Sequence, residues 1–183
     1  MAQALEDLAL NGRGGLGTAV TFSAGNSGHQ GDNVNYNSLS NSPYTITVGA
    51  IHSGGANAYF STPGAAVLVT APGMGVLLPD RVGSNGYASG DYVEINGTSF
   101  AAPAVAGIAA LMLQANPELG YRDVQEILAY SARQDAVGHP DPLLVLLQAL
   151  QIRSLAARRG SSVLQIGGQL ARDRAGGLAL PEE

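Results

Sequence analysis

The segment from Thr98 to Ala115 constrains the fold of this 183-residue chain more than any other. It consists almost wholly of small and apolar residues, follows Gly97 directly and stops at Asn116-Pro117. Because apolar side chains lie nearly all round it, the segment predicts a buried helix rather than one with a solvent-facing side.

Short β-branched and aromatic segments come before this helix and predict strands. The predicted strands cover 18–24, 44–51 and 67–70, a hairpin covers 86–95, and further helices cover 2–10 and 120–133. Pro72 and Gly73 are expected to end the third strand. Strands that alternate with helices predict the α/β class, here a parallel-rich sheet with helices on both faces.

Charge and composition exclude several classes of function. The net charge is −5, and no basic block occurs in the first 138 residues, so a nucleic-acid surface is not expected. Cysteine is absent, which excludes disulfides and thiolate chemistry. The longest aliphatic stretch, 143–147, is far shorter than the roughly 20 residues of a membrane span, and no signal-peptide pattern opens the chain.

The chain changes character near Gly138, which predicts two parts, 1–138 and 139–183. From residue 139 onward there is no aromatic residue and no Asn, whereas Arg, Ala, Leu and Gly are frequent. Such a composition is typical of GC-rich DNA read in any frame, so a frameshift near 136–142 is one hypothesis. The other is a genuine divergent extension, partly helical over 143–155 or disordered.

Ser99 lies where a glycine-bounded loop opens the long helix. A hydroxyl at this place is close to unpaired backbone N–H groups and to the positive end of the helix dipole. Negative charge that develops near Ser99 would be stabilised without Lys or Arg. The alternative is that Thr98 or Ser99 only caps the helix, which is a common role for both residue types.

Asn26 follows the first predicted strand directly, in the sequence Ser23-Ala24-Gly25-Asn26. The carboxyl ends of parallel strands are where α/β sheets place ligand contacts. An amide there can donate hydrogen bonds to an oxyanion without introducing a charge that must be desolvated. The alternative is a turn asparagine in the left-handed conformation.

An ordered set of motifs over about residues 1–135 resembles the subtilisin-like serine proteases, most closely their bacterial kexin-like branch. The set consists of A-G-N at 24–26, T-I-T-V-G-A at 45–50, F-S at 60–61, A-P-G at 71–73, G-T-S-F-A-A-P at 97–103 and the helices that follow. The resemblance identifies the C-terminal part of a subtilisin-like catalytic domain, so the fold is expected to be incomplete.

The resemblance implies a role for each matching residue. Ser99 would be the nucleophile of a serine endopeptidase that cleaves extended polypeptides through an acyl-enzyme, and Asn26 would share the oxyanion hole with the Ser99 backbone N–H. Residues Ser23, Ala24 and Gly25 would form part of the substrate-binding wall.

The acid and base of this family precede the oxyanion Asn, and no histidine here lies in the family's H-G-T motif. Without a base, a serine hydroxyl is a weak nucleophile at neutral pH. The chain is therefore expected to need a missing N-terminal half of the domain and to be inactive alone.

The resemblance also implies a calcium site and a location outside the cytoplasm. Asp32 occupies the position at which kexin-like enzymes place a Ca²⁺ ligand, and a carboxylate oxygen suits this ion. The positions of the family's other nearby acids correspond to Thr62 and Asn37, which are neutral. Relatives of this kind are mostly secreted.

Two other interpretations remain. The chain could be a pseudoprotease or peptide-binding module that uses the groove without chemistry. It could also be an unrelated α/β domain in which Ser99 is only a helix cap, which would make the ordered motifs a coincidence.

Overall fold

A computed structural model describes residues 2–132 of the chain. Its helices and strands are, in order, α1 (Ala2–Asn11), β1 (Val20–Ser23), β2 (Thr45–His52), β3 (Val67–Met74), β4 (Val76–Pro79), β5 (Tyr92–Ile95), α2 (Thr98–Ala115) and α3 (Tyr121–Ser131). The predicted tail 139–183, with its proposed frameshift and its helix over 143–155, lies outside the described residues.

The first three strands form one parallel sheet in the order β1-β2-β3. The central strand β2 is buried from Thr45 to Ala50 at every position, so both of its faces are covered. On one face Ile46, Val48 and Ala50 join the hydrophobic core with α2 and α3. The predicted α/β class with a parallel-rich sheet is confirmed.

Helix α2 packs against all three strands of this sheet. The side facing the sheet is buried at Ala101, Ala102, Val105, Ala109 and Met112. The prediction of burial all round is wrong for residues 2–132, because the sheet covers only one side of the helix. The exposed side consists of Pro103, Ala104, Gly107, Ala110, Leu111 and Gln114.

Within the described range, α2 is also the one helix long and apolar enough to cross a membrane by length and composition. Its packing on the sheet is that of a core helix, and core helices pass the same test.

Strand β3 continues through Pro72 and Gly73, so the expected break after residue 70 is wrong. Within residues 2–132, β3 has a neighbour on one side only, and an edge strand tolerates proline because one row of its N–H groups is not needed for pairing. Gly73 is required by a close approach, since a Cβ there would lie 2.8 Å from both the Ala50 Cβ and the Gly97 carbonyl oxygen.

The hairpin before α2 differs from the prediction. Strand β4 pairs antiparallel with β5, with Val76 opposite Ile95 and Pro79 opposite Tyr92. The predicted hairpin over 86–95 is wrong, because only its second half forms a strand, β5, and residues 80–91 are a long connection from β4. The prediction failed because the first strand of this pair, V-L-L-P, lacks the alternation that marks a half-buried strand.

Candidate active site

Asn26 lies just past the carboxyl end of β1, and its side chain is held by the first residue of α2. Its Oδ1 accepts a hydrogen bond from the Thr98 backbone N–H at 2.9 Å and another from the Thr98 hydroxyl at 2.9 Å. These two donors identify the oxygen end of the amide, because a nitrogen could not accept either bond. The Nδ2 group makes no hydrogen bond within residues 2–132, so its two hydrogens are available to a ligand.

Thr98 connects the strand end to the helix. Its hydroxyl accepts a hydrogen bond from the Gly25 N–H at 3.2 Å while it donates to Asn26. The residue is fully buried, at 0 % exposure. The hydroxyl thus fixes the position of residues 25–27, here called the Asn26 loop, relative to the start of α2.

Ser99 follows Thr98 in the first turn of α2 and is exposed. The N-cap residue is Gly97, and Thr98 and Ser99 are the first two residues of the helix itself. The interpretation of Thr98 or Ser99 as a mere N-cap is therefore wrong. The Gly97 N–H donates to the Gly73 carbonyl at 2.7 Å, which ties the helix start to the end of β3.

The structure therefore brings the two principal predicted residues to the same edge of the sheet. The interpretation of Asn26 as a left-handed turn residue is also wrong, because Arg13 is the one non-glycine residue with positive φ in the described part of the chain. The site offers the Ser99 hydroxyl, the Asn26 side-chain amide and the Ser99 N–H, which has no hydrogen-bond partner within residues 2–132, whereas the Thr98 and Phe100 N–H groups are bonded. These are neutral donors that can stabilise an oxyanion.

The predicted substrate wall is placed beside this site, but most of its backbone is occupied. Ala24 is buried and its N–H donates to the Val48 carbonyl at 2.9 Å. The Gly25 N–H is bonded to Thr98, and its carbonyl accepts from the Thr62 N–H at 2.9 Å. Peptide binding by Ser23, Ala24 and Gly25 stays a prediction.

A third residue supports the Asn26 loop. The Thr62 hydroxyl accepts a hydrogen bond from the Ser27 N–H at 3.1 Å, and the side chain is only 1 % exposed. From the sequence, Thr62 is only a neutral residue at the position of an acid, and Thr98 is only a candidate helix cap. Both are threonines within two residues of a glycine, but this signal is weak, and hydrogen-bond partners so distant in sequence cannot be predicted from one chain.

The two described histidines do not contact Ser99 through hydrogen bonds. His29 lies against the Tyr59 ring and beside Gln30. His52 accepts from the Gly54 N–H at 3.0 Å in the turn after β2. His139 is beyond the described residues.

Asp32 is exposed, and its Oδ1 accepts from the Asn33 N–H at 2.8 Å. Within residues 2–132 no group of three His, Cys, Asp or Glu side chains could hold a metal ion. Asp32 would supply one of the several oxygen ligands that Ca²⁺ takes, so a calcium site here would need further oxygen ligands besides this carboxylate. We therefore assign no step of the chemistry to a metal.

Comparisons with known proteins identify the family of the chain. The sequence model of the subtilase family matches residues 1–154. The dibasic-processing endoprotease of Schizosaccharomyces pombe is 37% identical over 134 residues, which are 71% of this chain and 18% of that protein. Kexin of Saccharomyces cerevisiae is 39% identical over 123 residues, which are 66% of this chain and 15% of kexin. The chain thus spans less than a fifth of the length of these curated relatives.

Solved structures of proteases also superpose on this chain. A protease of Pseudoalteromonas arctica superposes with a TM-score of 0.64 at 30% identity, covering 81% of this chain and 46% of the other. A cold-adapted subtilisin-like serine proteinase superposes with a TM-score of 0.55 at 32% identity, covering 70% of this chain and 44% of the other. The chain therefore corresponds to less than half of each solved relative.

Proposed function

Because this chain belongs to the subtilase family, whose relatives here include serine proteinases, we propose that it carries the nucleophile and oxyanion donors of a serine endopeptidase. The Ser99 Oγ attacks the carbonyl carbon of an extended polypeptide, and a base takes the hydroxyl proton. The tetrahedral oxyanion receives hydrogen bonds from Asn26 Nδ2 and the Ser99 N–H. As the intermediate collapses, the base passes this proton to the leaving nitrogen and the amine product is released; water that loses a proton to the same base then hydrolyses the acyl-enzyme.

The observation that carries this proposal is the orientation of the Asn26 amide. Two hydrogen bonds from Thr98 hold its oxygen toward the helix start. The donor end is therefore set before substrate arrives, and no rotamer has to be selected during the reaction. Preorganised neutral donors of this kind are usually the largest contribution to lowering the barrier of acyl transfer.

We propose that the acid and base come from a segment outside residues 2–132. Neither described histidine reaches Ser99 by a hydrogen bond. Strand β1 pairs with β2 on one side only in the described part of the sheet, and its residues are half-buried. A further part of the domain that pairs with β1 would cover this edge and bring its side chains to the site.

Fluorophosphonate labelling tests the proposal, because this probe reacts with activated serine hydroxyls. We expect labelling of Ser99 when the chain is joined to an N-terminal half of the domain that supplies the acid and the base. Ser99→Ala should abolish it without changing the thermal midpoint, since the Ser99 hydroxyl makes no hydrogen bond to another described residue. A completed domain that does not label, although it is folded, would overturn the proposal.

A second candidate is peptide binding without catalysis, which the lack of a base near Ser99 among residues 2–132 favours for the chain alone. In that case the 183-residue chain should not label above a denatured control, yet should retain an unstructured polypeptide in a pull-down. Rapid labelling of the chain alone would mean that a base is present after all.

Two further proposals rest on the family resemblance. The protein is expected to act outside the cytoplasm, which fractionation of the producing cells would test. Calcium binding at Asp32 is the other.

A further inference from the structure

The Asn26 loop is held from two sides. On one side Thr98 binds the Gly25 N–H and the Asn26 Oδ1. On the other side lies Thr62, whose N–H donates to the Gly25 carbonyl at 2.9 Å and whose hydroxyl accepts from the Ser27 N–H at 3.1 Å. Thr62 therefore bonds to the residue before Asn26 and to the residue after it.

We propose that Thr62 is a positioning residue for the oxyanion hole, an inference that rests on the proposed function. Its hydroxyl fixes the peptide that follows Asn26, and its N–H fixes the carbonyl that precedes it. The backbone of Asn26 is then fixed at both ends, and the direction of its Nδ2 hydrogens follows from that backbone.

The surroundings of Thr62 explain why a hydroxyl is needed there. The side chain is almost completely buried, so water cannot easily replace the bond to the Ser27 N–H. The approach is also close, since a Cβ at Gly25 would lie 3.0 Å from the Thr62 Oγ1. Removing the hydroxyl leaves a donor without a partner and frees the peptide after Asn26 to rotate.

Thr62→Val keeps the shape of the side chain and removes the hydroxyl, whereas Thr62→Ser keeps the hydroxyl. Thr45→Val is a matched control, because Thr45 is also buried and its hydroxyl also bonds to backbone, donating to Leu39 and Ser42. Thr45 lies at the amino end of β2, away from the site. All three variants should be compared in the completed domain.

We expect Thr62→Val to slow the fluorophosphonate labelling rate about tenfold, since misplacement of a group by less than about 1 Å already costs much of its effect. The loss should fall on kcat and not on KM for a peptide substrate, because the donor acts mainly in the transition state. Thr62→Ser and Thr45→Val should label at close to the wild-type rate. Amide hydrogen exchange should show a faster Ser27 N–H in Thr62→Val alone.

Equal labelling rates for Thr62→Val and Thr45→Val would overturn the inference, and so would a Thr62→Ser variant as slow as Thr62→Val. If the folded wild-type domain does not label at all, the proposed function fails and the inference fails with it. Normal wild-type labelling with an unaffected Thr62→Val variant refutes the role of Thr62 alone. If Thr62→Val does not fold, Thr62→Ala, which also removes the hydroxyl, replaces it: slow labelling with a fast-exchanging Ser27 N–H supports the inference, and a wild-type labelling rate overturns it.

Discussion

Replacing Asn26 by aspartate separates the two functions of this side chain. In Asn26→Asp, one carboxylate oxygen could still accept from the Thr98 N–H and hydroxyl, as Asn26 Oδ1 does. The donor end, however, would become a second oxygen that carries negative charge. Asn26→Ala, in contrast, removes the acceptor and the donor together.

The two variants should therefore differ in stability. Asn26→Ala leaves the buried Thr98 donors without this acceptor, at a cost in unfolding free energy of about 1–3 kcal/mol. Because Asn26 itself is exposed, water can reach part of the gap, so the lower end of this range is expected. Asn26→Asp should be as stable as the wild type or gain roughly 0.3–1 kcal/mol from a negative charge at the helix start.

In contrast to their stabilities, the reaction rates of the two variants should both be low. Both variants lose a donor to the oxyanion, which typically costs about 10²–10³ in rate, or roughly 2.7–4 kcal/mol. Asn26→Asp should be at least as slow as Asn26→Ala, because its carboxylate repels the developing oxyanion. Labelling rates and kcat in the completed domain, together with urea unfolding, measure both properties. Asn26→Asp with a near-normal labelling rate would refute the role of Nδ2, and equal destabilisation by both variants would refute the role of Oδ1.

Three further predictions concern other residues. Arg13 donates through its guanidinium to the carbonyls of Gly17, Leu119 and Pro117, so Arg13→Ala should lower the unfolding free energy by about 1.5–3 kcal/mol in urea titration, and an unchanged midpoint would contradict these bonds. The hydrogen bond from the Ala88 backbone N–H is the main cause of the lowered pKa of Asp80. Desolvation raises this pKa by less than Ala88 lowers it, and the Arg81 and Tyr87 N–H groups lower it further. The ionised carboxylate therefore stabilises the fold above the pKa that Asp80 has in the unfolded chain, and this stabilisation is lost as the pH falls through the folded pKa. The difference in unfolding free energy between wild type and Asp80→Asn should therefore shrink to zero in acid. A difference that stays constant with pH would be inconsistent with the lowered pKa. Calorimetric titration with CaCl₂ should give binding that Asp32→Asn abolishes, whereas equal heats for both proteins would remove Asp32 from any calcium site.

Local sequence was sufficient where one segment determines its own structure. Helix α2 has the predicted bounds because Gly97 precedes it and Asn116-Pro117 ends it, and neither signal depends on distant residues. The continuation of β3 through Pro72 could not be predicted, because it depends on β3 having a free edge in the described sheet. The pairing of β4 with β5 is likewise set by residues separated by a long connection.

In the candidate site, too, local sequence predicts some residues and packing determines others. Asn26 and Ser99 were predicted from the order of two motifs, and the structure brings them together. The roles of Thr98 and Thr62 could not be predicted, because each depends on a hydrogen bond to the Asn26 loop from far along the chain. A sequence gives the residue types that chemistry requires, but the residues that orient them are determined by packing.

The bond between the Gly97 N–H and the Gly73 carbonyl has a consequence for how this protein can vary in length. The chain leaves the sheet after Met74, forms the β4–β5 hairpin and returns at Gly97, where the 2.7 Å bond to the Gly73 carbonyl joins the two ends. A second hydrogen bond of 2.7 Å, from the Gly75 N–H to Asn96 Oδ1, also joins the outgoing and returning segments. Because both ends are fixed to each other, residues added or removed at the far tip need not move Ser99. The cost of a longer loop grows only with the logarithm of its length, so this hairpin can accept insertions or grafted peptides next to the nucleophile while the helix start stays in place.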